Sequence, residues 1–107
     1  MLFLVIGRAY ENAGVPQPQE LALVKAGLEA FKQDPKLKTF YLFVGERGGV
    51  GIWDVNSAEE LHRAIAENPI GRLASWEIHP LVTVDQGLAS INVVEQRMAQ
   101  MAQGAAR

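Results

Sequence analysis

The chain has 107 residues, 49% of them hydrophobic and 21% charged, and it contains no cysteine. Lysine and arginine number 10 against 12 aspartates and glutamates, a formal charge of −2 that supplies no general attraction to nucleic acid or to an anionic membrane. The size suits one domain with an ordinary core, the lack of thiols excludes disulfide scaffolds and thiolate metal centres, and the apolar content excludes disorder.

Residues 2–7 form a continuous run of branched and aromatic side chains. Such a run predicts a strand covered on both faces. It is too short for a signal h-region or a spanning helix and has no basic residue before it, so a cytoplasmic location is the default expectation. Asn12, Gly14, Pro16 and Pro18 mark residues 11–18 as a loop. From Gln19 the period changes: Leu21, Val24, Leu28 and Phe31 draw one stripe on a helix that Asp34-Pro35 stops.

Residues 38–44 have strand composition, and Val50 to Val55 is a second candidate. The glycines between Gly45 and Gly51 read as the turn of a hairpin joining them. Another strand follows this segment instead of a helix, so the glycines do not make a phosphate cradle. Phe40, Leu42 and Val44 are expected on one face of the first of these strands, with Tyr41 and Phe43 on the other. Trp53 shares a strand face with Gly51 and Val55, which makes open space beside Gly51 an expectation.

Ser57 and Glu60 have capping-box spacing and open a second helix whose apolar face is Ala58, Leu61 and Ile65. Asn68-Pro69 ends it. Residues 73–84 read as a strand, with Pro80 at a bend, bulge or edge. A last helix is expected over about 86–103, where Ile91, Val94, Met98 and Met101 give an a/d-type stripe, followed by a frayed tail.

The order strand, helix, strand, strand, helix, strand predicts an α+β fold, a ferredoxin-like βαββαβ sandwich with a four-stranded antiparallel sheet and both helices on one face. The domain is expected over residues 1–84. Residues 85–107 form a C-terminal helix and tail, packed on the same domain or on a partner subunit. Because the strands are apolar on both sides, the second sheet face also asks for cover, and a homodimer pairing sheet against sheet, or a higher homo-oligomer, is expected.

Glu77 and His79 lie two apart on the last strand, so alternation puts both on the face opposite Trp76 and Ile78. A carboxylate and an imidazole on one face can carry a proton on and off a carbon beside a carbonyl. Arg8, just beyond the first strand, can hold a substrate carboxylate with its two-pronged guanidinium. Tyr41, Trp53 and Trp76 can wall an apolar pocket. His62 flanks the apolar stripe of the second helix. With two histidines far apart in the chain, no metal site is expected, and Lys36 with Lys38 is too small a basic cluster for nucleic acid. No Gly-x-Ser-x-Gly nucleophile motif occurs.

Met1-Leu2-Phe3, Trp53-Asp54-Val55-Asn56-Ser57, Glu60-Leu61-His62, the Asn68-Pro69-Ile70 break and Trp76-Glu77-Ile78 together resemble the muconolactone isomerase family, over roughly residues 1–82. The resemblance implies a dimeric α+β barrel, a cavity for a small organic acid, lactone or related carbonyl compound, and proton transfer that needs no cofactor. It repeats the histidine at His62. In this reading Glu77 and His79 handle the proton, Arg8 or Tyr41 orients the substrate, His62 adds to the binding residues, and Trp53 and Trp76 line the wall. The family's first strand carries a histidine and a lysine where this chain has Leu4 and Ile6. That departure motivates the alternative, a non-catalytic ligand-binding or assembly protein on the same fold. Oxygen chemistry, with or without haem, is a further class by fold analogy alone.

Overall fold

The structure is a computed structural model that describes residues 1–10 and 17–105. Most of the expected 11–18 loop, including Asn12, Gly14 and Pro16, lies outside the described residues, as do Ala106 and Arg107 of the expected tail. The elements run β1 (Leu2–Ala9), α1 (Pro18–Gln33), β2 (Leu37–Leu42), β3 (Gly48–Asp54), α2 (Ala58–Ala66), β4 (Ala74–Leu81) and α3 (Val84–Ala105). The sheet is antiparallel throughout, in the order β2-β3-β1-β4. This is the ferredoxin-like arrangement that the order of elements predicts.

Local chemistry sets most boundaries. The Ser57 hydroxyl accepts a bond from the Glu60 amide at 3.1 Å, and the Glu60 carboxylate accepts from the Asn56 amide at 2.7 Å, so the start of α2 is capped from both sides. Lys36 Nζ reaches the same carboxylate at 2.6 Å and ties the entry of β2 to the entry of α2. This hydrogen bond from Lys36, then the Asn56 amide, holds the Glu60 carboxyl below the ordinary carboxylate range, and Lys36 is raised in turn. Thr83 and Gln86 close a second reciprocal capping box, the Gln86 amide donating to the Thr83 hydroxyl at 3.1 Å and the Thr83 amide to the Gln86 side chain at 2.8 Å. That box starts α3 at Val84, so β4 stops at Leu81 instead of running to residue 84.

The hairpin differs from its expectation. β2 ends at Leu42, and Val44 is fully exposed in the turn, on neither strand face. The Phe43 amide donates to the Gly48 carbonyl at 2.9 Å and closes the turn there. Among the described glycines Gly45 alone takes a positive φ, 91°, which suits it to the turn. Gly48 and Gly49, expected in the connection, are paired residues of β3 along with Gly51. A bulge between Leu37 and Thr39 lets Leu37 and Phe40, three residues apart, both point to the helix-covered face.

On that face Phe3, Val5, Trp53 and Val55 of the central strands meet Phe31 of α1 and Leu61 and Ile65 of α2. Phe31 is the hub. Its ring lies edge-on to Phe40, Trp53 and Trp76 at centroid distances of 5.7, 5.6 and 6.3 Å. The Asn68-Pro69-Ile70 break clasps α1: Asn68 Nδ2 donates to the Gly27 carbonyl at 3.1 Å while its Oδ1 accepts from the Ile70 amide at 2.9 Å. A Cβ on Gly27 would meet Ile70 Cγ1 at 2.1 Å, so glycine is what allows the close approach.

The opposite sheet face carries Leu4, Ile6, Val50 and Ile52, all half-buried, and no helix lies over it. α3 does not fold back onto it. Nearly all of its described residues are exposed, and the molecule measures 73 × 28 × 23 Å. Its radius of gyration is 20.0 Å, against roughly 13 Å for a compact chain of this length, so α3 stands off the body as an arm. Among the described residues no helix is long and apolar enough to cross a membrane.

Candidate functional site

The helix-covered face holds a cavity of about 590 Å³ between α1 and the sheet. Its floor is bare backbone. Gly7 of β1 is the register partner of Gly49 of β3, and Val5 is the partner of Gly51, so three glycines withhold side chains from the two central strands. The space is already committed to neighbours: a Cβ on Gly7 would stand 2.5 Å from the Trp76 ring, and one on Gly49 would stand 2.7 Å from the Tyr41 carbonyl. Trp76 is fixed over Gly7 by its indole N–H, which donates to the Gly71 carbonyl at 3.0 Å. α1 lays Leu21, Val24, Leu28 and Phe31 over this floor as a roof.

Phe31 and Trp53 are buried and close the deep end. Tyr10, Glu46, Arg47 and Arg72 also line the space, are exposed, and stand at its mouth, with Glu20 half-buried beside them. The cavity is thus apolar and aromatic inside and charged where it opens, the distribution expected of a pocket that orients a small molecule by one polar end.

The predicted site residues divide between the two faces. Trp53 and Trp76 line the cavity. Glu77, His79 and Arg8 lie on the uncovered face, where His79 pairs with Leu4 and Glu77 with Ile6 in the β4–β1 register. There His79 Nε2 is 3.1 Å from Glu77 Oε1, and Arg8 reaches Glu77 Oε2 at 3.5 Å and Glu46 at 3.7 Å. All are about half exposed. The three come together, but the sheet separates them from the tryptophans, so within one chain they share no pocket with Trp53 and Trp76. Tyr41 faces the same side as Glu77 but from β2, three strands away, roughly 14 Å at ordinary strand spacing. His62 is exposed on the outer side of α2, in a shallow depression with Glu59, Arg63 and Glu67.

The open space expected beside Gly51 is taken up: a Cβ there would stand 2.8 Å from Leu37 Cδ1 and 3.4 Å from Phe40, and the cavity lies farther toward α1, with Gly7 and Gly49 also at its floor. The period-two spacing of Gly49 and Gly51 with Trp53 was the available signal. Glu20 gave no signal, since only the tertiary placement of α1 brings it to the mouth. Among the described residues no group of three or more histidines and acids stands ready to hold a metal ion.

A family model described as muconolactone delta-isomerase matches residues 1–86. The chain belongs to the muconolactone delta-isomerase family. Solved structures resemble it, among them the following two. Muconolactone isomerase aligns with a TM-score of 0.68 and 19% identity, over 78% of this chain and 90% of that one. A 5-chloro-2-hydroxyhydroquinone dehydrochlorinase from Burkholderia phenoliruptrix, in complex with 2,5-dihydroxybenzoquinone, aligns with a TM-score of 0.59 and 19% identity, over 77% of this chain and 94% of that one. At that identity the two likenesses establish the fold. The comparison with curated proteins gave no match. The muconolactone delta-isomerase match ends at residue 86, so nearly all of α3 lies beyond it.

Proposed function

We propose that this muconolactone delta-isomerase family member binds a small organic acid, lactone or related carbonyl compound in the cavity between α1 and the sheet. The apolar body of the ligand rests against Phe31, Trp53 and Trp76, and its anionic or carbonyl end turns toward Arg47 and Arg72 at the mouth. The open volume of about 590 Å³ between the apolar roof of α1 and the Trp53 and Trp76 rings carries this reading, because a core built only for stability would close it. The proposal includes a homo-oligomeric, cytoplasmic protein that needs no cofactor, with cofactor-free proton transfer as its reaction. A ligand-binding role without catalysis uses the same cavity.

A second reading is favoured by the 3.1 Å contact of His79 with Glu77. With Nε2 held 3.1 Å from the carboxylate that Arg8 also reaches, His79 keeps Nδ1 for a substrate. It can take a proton from a carbon beside a carbonyl and return it at another carbon, so that the substrate is isomerised and the protein restored. A sheet-to-sheet homodimer would enclose this pair, with Tyr41 on the same face. His62, on the outer side of α2, is placed at neither site and would act on substrate only across a subunit boundary.

The two tryptophans of the chain both line the cavity, so their fluorescence reports its occupancy. Titration with muconolactone and with 2,5-dihydroxybenzoquinone is expected to quench wild-type emission, and Gly7→Ala, which displaces Trp76, to weaken the binding at least tenfold. Binding that survives Gly7→Ala but is lost in Glu77→Gln/His79→Ala would overturn the cavity reading in favour of the open face. Turnover followed by proton NMR separates an isomerase from a binding protein.

A further inference from the structure

We infer that α3 is a self-association element: its apolar seam pairs with the α3 of a second copy of this chain. The inference stands apart from the ligand reading, since α3 contributes nothing to the cavity.

Along α3, Val84, Gly87, Ile91, Val94, Met98 and Met101 are spaced +3, +4, +3, +4, +3, the alternating step of a coiled-coil a/d seam. Off the seam the positions are polar or small, among them Ser90, Asn92, Gln96 and Gln100, except Leu88 beside it and Val93. All the large side chains of the seam are exposed, Val84 at 80% and Met101 at 74%. An isolated helix with this composition is a poor one. It carries four β-branched apolar residues and two glycines, and its described charges are Asp85, Glu95 and Arg97. Propensity and i,i+4 pairs therefore do little for it, and its order must come from packing. Its own body does not supply that packing.

Three features choose the occupant. A narrow 3.5-residue seam matches another helix better than it matches a flat sheet. The uncovered sheet face holds Arg8, Glu77 and His79 on its β1–β4 side, where an apolar helix would desolvate charges without pairing them. A lipid surface is poorly matched too, because the described polar side of α3 has one basic residue, Arg97. The seam is, by contrast, complementary to itself. Its exposed side chains offer on the order of 500 Å² of apolar surface per copy, so a pair buries about 1,000 Å² in total, the size at which a specific interface becomes feasible.

The absence of native cysteine makes the test direct. In the full chain, Val94→Cys places one thiol in the seam and Gln96→Cys places one on the outer side. Under mild oxidation Val94→Cys is expected to form a disulfide-linked dimer at least tenfold faster than Gln96→Cys. In sedimentation, Ile91→Glu/Met98→Glu is expected to raise the self-association dissociation constant at least tenfold while the strand signal in circular dichroism stays unchanged. Equal cross-linking of the two cysteine variants, or an unchanged dissociation constant in the glutamate variant, overturns the inference. A sheet-to-sheet dimer alone would give that second result.

Discussion

Asn68 is the residue through which the fold and the cavity can be tested together. It is buried at 8% exposure and makes two bonds at once, donating to the Gly27 carbonyl at 3.1 Å and accepting from the Ile70 amide at 2.9 Å. Asn68→Ala removes both. Each bond contributes about 1 kcal/mol net, and the Ile70 amide is left part-buried without a partner, so a loss of about 2–3 kcal/mol is expected. A domain of this length has an unfolding entropy near 0.2 kcal/mol/K, which converts that loss to a melting temperature lower by roughly 10 °C. Thermal unfolding followed by circular dichroism measures it, with Asn56→Ala, exposed and outside any core contact, as the control expected within about 0.5 kcal/mol of wild type. Because the clasp holds α1 over the sheet, the same variant should loosen the cavity roof and red-shift tryptophan emission before global unfolding. A shift below about 3 °C, or one matched by Asn56→Ala, would refute the view that the Asn68 break anchors α1.

Gly7→Ala should cost about 1–3 kcal/mol through displacement of the Trp76 ring, read as a lowered melting temperature with altered near-ultraviolet dichroism. Phe31→Ala, which removes the ring meeting Phe40, Trp53 and Trp76, should cost about 3–5 kcal/mol in denaturant unfolding. Gly45→Ala has open space around it but a φ of 91°, so backbone strain of about 1 kcal/mol is the whole expected effect in the same assay. For the Lys36–Glu60 pair the lowered Glu60 carboxyl gives stability that is present above the ordinary carboxylate range and lost as pH falls through the folded value, while raised Lys36 gives stability lost only as pH climbs past the ordinary lysine range. Glu60→Gln should therefore flatten the acid limb of the stability–pH curve and leave neutral pH to basic pH differences small.

Where neighbours in the chain decide the outcome, the sequence was readable. Ser57 with Glu60, Asp34 before Pro35, and the 3–4 spacing of Leu21 to Phe31 placed the helices because caps, proline sterics and amphipathic stripes are local physics. Alternation alone put Glu77 and His79 on one face and Trp76 on the other. The bulge at Lys38 and Thr39 was not readable, since it answers to the register of β3. The capping box of Thr83 and Gln86 was readable and would have moved the start of α3 forward. Gly48 and Gly49 read as a turn, because bare backbone in a strand makes sense only once Phe40, Leu42 and Phe43 are known to occupy the space beside it. Nothing local tells an apolar helix whether its own sheet will receive it, which is why the arm of α3 emerged only from the structure.

The glycine floor also limits how this pocket can change. A side chain added at Gly7 runs into the Trp76 ring, and one added at Gly49 runs into the Tyr41 carbonyl, so the sheet side of the site is effectively frozen. Leu21, Val24 and Leu28 line the cavity from α1, where a changed side chain meets no such strand backbone. Variation in ligand preference among relatives that keep these glycines should therefore accumulate on one helix, leaving the sheet as an unvarying template beneath it.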